Sequence, residues 1–243
     1  MIIVSKSNPI VKELRALREK KFRKETGCFL VEGEKMVKEC LKSGLSVRRI
    51  VAREDYEGEL LPDLVLGRDA FNGISEEKTP QPVLAEAELP HAELRPPEGS
   101  CLLLDGVQDP ANVGAIIRTA NAAGYRELYL IGCADPFSPK SVRASMSGVF
   151  FASLMQGTRE EVLDLLEGVP LIAADMDGEN VFAFLPPQKF ALCIGSEGSG
   201  LSEQVRARAA YTVRIPMGEH TESLNAAVSA GILMYELKRN QFI

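Results

Sequence analysis

Apolar residues recur at helical spacing near the start of the chain and gather into short unbroken runs past residue 100. In "NPIVKELRALREKKFRKETG" (8–27), Ile10, Leu14 and Leu17 share one helical face, and Gly27 marks where one helix should end. "CFLVEG" (28–33) predicts a strand, "EKMVKECLKSG" (34–44) an amphipathic helix closed by Gly44, and "SVRRIVA" (46–52) a second strand. A shorter alternation continues to "PVLAEAEL" (82–89). The next segment, "PHAELRPPEGS" (90–100), is polar, holds three prolines and predicts a domain boundary. Beyond it "CLLLD" (101–105), "ELYLIG" (127–132), "PLIAAD" (170–175), "FALCIG" (190–195) and "YTVRIP" (211–216) read as buried strands with helical segments between most of them. The pattern predicts an α/β protein: a small α/β domain over 1–90, a linker over 91–99, and a mostly parallel, helix-covered sheet over 100–243.

Composition narrows the class. At 243 residues and 45% hydrophobic, the chain is large enough for a real core, and no apolar run approaches a membrane span. The N-terminus lacks a signal-peptide pattern. Five scattered cysteines without a C-x-x-C pair, and only His91 and His220, argue against a metal site or a disulfide framework. Reduced thiols and a cytoplasmic location are therefore expected. The net charge of −6 is unevenly spread: residues 1–53 carry 14 Lys/Arg against 6 Asp/Glu, a net of +8, against −14 for the remainder. Such a split suits a polyanion-binding arm as well as it suits a solvated basic helix, with Lys12, Arg15, Arg18, Lys20, Lys21, Arg23 and Lys24 the cations concerned.

Three turns after predicted strands could carry chemistry, since open α/β sheets bind ligands at such ends. The first opens the helix of "DPANVGAIIRTANAAGY" (109–125). There Val113, Ile116, Ile117 and Ala120 share one face, and Gly114, Arg118 and Asn121 the other. Asn112 is a good N-cap type, and Gly114, costly inside a helix, suggests a close approach by some partner. The second turn, "IGSEGSGLS" (194–202), matches neither a dinucleotide fingerprint nor a Walker A loop. Its glycines would let backbone approach a ligand, and Glu197 suits hydroxyls or a cation better than phosphate. The third, "IPMGEHTESLNAAVSAGILMYELKRN" (215–240), precedes a helix that Ser223 could cap, whereas Asn225 has no such ready role. From Ala226 to Tyr235 only Ser229 is polar, which predicts burial in a core or a subunit interface.

Together the three segments resemble the three motifs of the SpoU/TrmH family of RNA 2′-O-ribose methyltransferases: "LDGVQDPANVGAIIRTANAAG", "IGSEGSGLS" and "IPMGEHTESLNAAVSAGILMYE". "SNPIVKELRALREKKFRKETGCFLVEGEKMV" and "EEKTPQPVLA" are similar to the ribosomal-protein-like domain that many members carry in front. The resemblance implies a deep trefoil knot in the C-terminal domain, a homodimer through its knot helices, S-adenosylmethionine as cofactor and no metal. By motif, Gly195, Ile215 and Leu224, with Met217 and Gly218 of the same turn, would hold the cofactor. Asn112, Arg118, Glu197, Ser223 and Asn225 would form the polar active site, and the basic N-terminal cations would contact RNA. Ala226 and Ala227 depart from the Val-Ser found in many members. A guanidinium accepts no proton at neutral pH, so Arg118 is expected to anchor phosphate and stabilise a developing alkoxide as the ribose approaches the Gly114 face. Ribosomal RNA is the expected acceptor; transfer RNA, a base nitrogen or a non-catalytic RNA-binding role remain alternatives.

Overall fold

Alternating side chains along the buried strand "CLLLD" show how the larger domain is layered. Leu102 and Leu104 join one core cluster and Cys101 and Leu103 another, so the strand is covered on both faces. The computed structural model describes residues 2–221 and 223–241; Met1, Glu222, Phe242 and Ile243, which the expected domains and third motif include, lie outside the described residues. Strands β6 (Cys101–Asp105), β7 (Glu127–Ile131), β8 (Ser153–Gly157), β9 (Leu171–Asn180), β10 (Ala191–Gly195) and β11 (Ala209–Arg214) form one parallel sheet in the order β11-β9-β10-β6-β7-β8. On one face pack α5 (Pro110–Ala122) and α9 (Ala226–Leu237), and on the other α7 (Arg159–Leu165) and α8 (Glu203–Arg208). Strand β10 enters between the earlier β9 and β6, and α9 returns to pack on α5, an order that accommodates the threading expected of the C-terminal segment. The sixth strand, β8, was not expected, because "SLMQG" holds only two large apolar residues.

The smaller sheet has the order β1-β4-β3-β5-β2, from β1 (Ile2–Ile3), β2 (Cys28–Glu32), β3 (Val47–Arg53), β4 (Leu64–Leu66) and β5 (Val83–Glu88). The one helix expected within 8–27 is two helices, α1 (Pro9–Ala16) and α2 (Lys20–Thr26). Arginines hold the break open. The Arg23 guanidinium donates to the carbonyls of Leu17 (2.7 Å) and Arg18 (2.5 Å), and Arg18 donates to those of Gly73, Ile74 and Ser75. Arg23 also pairs with Asp135 of the larger domain at 2.6 Å. Beside that pair the Phe29 ring meets Phe137 (5.2 Å) and Phe150 (6.3 Å), within a core cluster that spans both sheets. The proline-rich connection is fastened as well: Lys189 donates to the Pro97 carbonyl (2.5 Å), and Arg95 pairs with Glu127 (2.7 Å).

Gly114 has its own explanation. A Cβ there would stand 2.3 Å from the Ser141 carbonyl oxygen and 2.9 Å from the Ser145 nitrogen, both backbone atoms of α6 (Pro139–Ser145). The partner that approaches this face is therefore a helix of the same chain, which corrects the expectation of a ribose. Gly114→Ala is expected to destabilise by about 2 kcal/mol, because overpacking outweighs the gain in helix propensity. A denaturation midpoint at or above that of the wild type would contradict the contact.

Candidate active site

The strand directions place the C-terminal ends of β6, β10 and β11 on one edge of the sheet, and the three turns noted above leave from that edge. Asp109 caps α5, its Oδ1 accepting the Ala111 amide at 2.9 Å. Asn112 is thereby released from the capping role expected of it and lies buried in the first turn. Its Nδ2 donates to Glu197 Oε1 (2.6 Å), and its Oδ1 accepts from Asn225 Nδ2 (2.9 Å). Asn225, not Ser223, caps α9: its Oδ1 accepts the Ala227 amide (2.9 Å) and the Val228 amide (3.2 Å). One chain of hydrogen bonds thus runs from the α9 N-terminus through two amides to a carboxylate. Glu197 Oε2 carries no hydrogen bond or ion pair among the described residues, so one carboxylate oxygen remains open.

Beside this chain lies a cavity of about 570 Å³ whose lining includes Gly195, Glu197, Ile215, Met217, Ser223, Leu224 and Asn225. Its size falls within the roughly 300–1,000 Å³ of small-molecule sites. Ile194, Val213 and Leu233 give apolar wall, and Asp175 with its ion-pair partner Arg206 gives a charged pair without net charge. An apolar wall, loop backbone and a few polar groups suit a zwitterionic cofactor with an aromatic base such as S-adenosylmethionine. Gly218 lies outside the lining; its carbonyl accepts the Thr221 amide (3.1 Å) and closes a turn, so its expected cofactor role is not supported. Gly195 is required by its own loop, which folds back so far that a Cβ would stand 2.2 Å from the Gly200 carbonyl carbon. Asp175, Arg206 and Arg214 line the cavity and were missed. Asp175 ends the run "PLIAAD", and its position just after a strand core was the available signal.

Arg118 stands apart from the hydrogen-bonded chain. It is exposed, lies six residues beyond Asn112, hence about 9 Å further along α5, and has no ion pair or hydrogen bond among the described residues. Of the basic residues expected to meet RNA, Lys12, Arg15, Lys20, Lys21 and Lys24 are exposed. Arg23, 3% exposed, and Arg18, bonded to three carbonyls, are committed to the fold, which corrects their assignment. Helix α9 buries Ala230, Leu233, Met234 and Leu237 and turns Val228 and Tyr235 outward, half-exposed.

Beneath the second turn, Asp105 pairs in register with Gly195. Its Oδ1 takes Arg159 Nη2 (2.8 Å) and its Oδ2 the Ser202 amide (2.8 Å). Burial works to raise its pKa, but the Ser202 and Arg159 bonds outweigh it and hold the carboxyl below its usual range. Its stabilising contribution is then fully present above the unfolded value of about 3.9 and is lost as pH falls through the lower folded value. Asp105→Asn should cost about 2 kcal/mol at neutral pH, a gap that narrows in acid below about pH 4. A gap that keeps its size through that acid range in urea titrations would contradict the assignment.

Residues 99–235 match the SpoU rRNA Methylase family, and residues 8–85 match the MRM3-like substrate binding domain. The chain is 34% identical to the 23S rRNA (guanosine(2553)-2′-O)-methyltransferase RlmP of Bacillus subtilis, over 97% of this chain and 98% of that protein. It is 33% identical to a 23S rRNA (uridine(2479)-2′-O)-methyltransferase of Streptomyces viridochromogenes, over 90% of this chain and 85% of that protein. The crystal structure of an AdoMet-bound rRNA methyltransferase from Sinorhizobium meliloti matches with a TM-score of 0.87 at 31% identity, over 99% of this chain and 98% of that one.

Proposed function

We propose a reaction scheme for this chain, which belongs to the SpoU rRNA Methylase family. It is an RNA 2′-O-methyltransferase that uses S-adenosylmethionine. Gly195, Ile215, Met217 and Leu224 would hold the cofactor in the 570 Å³ cavity. When bound, S-adenosylmethionine supplies an electrophilic methyl carbon on a sulfonium. The residues must then align a ribose hydroxyl with that carbon and remove its proton.

The open Oε2 of Glu197 carries this reading. It lies at the cavity, its carboxylate fixed from behind by Asn112, and can accept the hydrogen of a 2′-hydroxyl. Asn225 holds Asn112, so the carboxylate orientation is set before substrate arrives, and such preorganisation contributes a large part of the rate in displacement reactions. Ser223, on the same wall, is a further hydroxyl available to the ribose. Arg118, whose side chain has no ion pair or hydrogen bond among the described residues, would take the neighbouring phosphate and stabilise charge on the oxygen as its proton leaves.

Ribosomal RNA is the proposed acceptor, supported by the substrate-binding match of the small domain and by rRNA-methylating relatives aligned over nearly the whole chain. Lys12, Arg15, Lys20 and Lys24 would supply phosphate contacts, whereas Lys21 pairs with Glu25 at 3.8 Å and is not assigned one. The apolar outward face of α9 supports a homodimer formed there. With large ribosomal RNA as acceptor, Arg118→Ala should lower kcat by about 10²–10³-fold and leave S-adenosylmethionine affinity within about twofold. A large loss of cofactor affinity would contradict the role of Arg118, and transfer to tRNA alone would contradict the acceptor.

A further inference from the structure

A second cavity, about 240 Å³, opens where α2 meets the β8 edge of the larger sheet. Its floor is apolar: Phe137 and Leu154 are buried, and Leu89 and Pro90 complete it. Arg23 and Asp135 form one wall, and because they are paired with each other at 2.6 Å the wall adds no net negative charge. The rim is cationic. Lys20 and Lys24 stand one helical turn apart on the same face of α2, and neither has an ion-pair partner among the described residues. Lys21 faces elsewhere, pairs with Glu25 at 3.8 Å and does not line the cavity. Gln156, exposed and on the same strand face as Leu154, places an amide at the rim. His91, also at the rim, has Glu93 at 3.5 Å.

The volume is below the roughly 300–1,000 Å³ of cofactor sites and suits one planar ring system. An apolar slot with an amide at its lip and unpaired ammonium groups beside it matches an unstacked nucleotide: base on the floor, hydrogen-bonding edge at the amide, phosphate on the lysines. Three strand spacings separate β8 from β10, roughly 14 Å at about 4.8 Å each, so a nucleotide held here is not the one presented to the cofactor.

We propose that this junction cavity binds one unpaired nucleotide of the RNA substrate at a distance from the methylated position, and so contributes to choice of site. The proposal rests on the RNA-methyltransferase reading above. Three variants of the full chain separate its parts, read by RNA affinity across a salt series and by S-adenosylmethionine affinity. Lys20→Gln/Lys24→Gln should weaken RNA binding about tenfold and flatten the salt slope by about 1.5. Gln156→Trp, which fills the slot without changing charge, should weaken RNA binding about tenfold with the wild-type salt slope. Lys21→Gln should bind as the wild type does, and all three should keep cofactor affinity. Wild-type RNA binding by Gln156→Trp, or a Lys21→Gln loss equal to that of the double variant, would reduce the site to general surface charge and overturn the proposal. Absence of RNA binding by the wild type would instead overturn the reading on which it rests.

Discussion

The hydrogen bonds of Asn112 are the constraint on which the rest of the site depends. They join side chains 85 and 113 residues away in sequence and so bind the first, second and third turns into one unit. An amide suits that position because its oxygen accepts from Asn225 while its nitrogen, a separate atom, donates to Glu197. A carboxylate there would set like charges against each other, and an apolar side chain would release both neighbours. The parallel sheet makes the arrangement possible by ending β6, β10 and β11 on the same edge. Asp105 anchors the second turn from below, so Glu197 is carried on a loop held at its base as well as through its side chain.

The small domain is bound to this framework through a shared interior. Arg23 serves three masters at once: the carbonyls of Leu17 and Arg18, and Asp135 across the junction. Removing one partner of such a buried pair typically costs about 3–5 kcal/mol. With Phe29 set among Phe137 and Phe150, the junction has the character of a core. A basic surface fixed in this way stands in a defined relation to the cavity, so the phosphate contacts proposed for it would position the substrate as well as add affinity.

Much of this was legible in the residue pattern, and the failures have physical causes. Runs such as "CLLLD" and "FALCIG" announce buried strands because both faces are covered, whereas β8, at the sheet edge with Gln156 exposed, leaves a weaker mark. The motif residues Asn112, Glu197 and Asn225 were identifiable by type and order, but their partners were not, since they are set by tertiary packing. Capping illustrates the limit: Asn112 and Ser223 are good cap types, yet Asp109 and Asn225 hold those positions. Charge misled for a related reason. Arg18 and Arg23 look like their solvated neighbours in the sequence, and only the fold shows carbonyls and Asp135 waiting for them. Gly114 did report a close approach, but of α6 and not of a ligand.

The most direct test of the account is the chemical identity of the product. Labelled S-adenosylmethionine would be incubated with the protein and unmodified ribosomal RNA, and the RNA digested to nucleosides for mass spectrometry. The proposed placement of a hydroxyl between Glu197 and the 570 Å³ cavity predicts label in a 2′-O-methylated nucleoside, with the base unmodified. Label on a base nitrogen would contradict it, because the acceptor would then not be the oxygen that the Asn112-held carboxylate is proposed to receive.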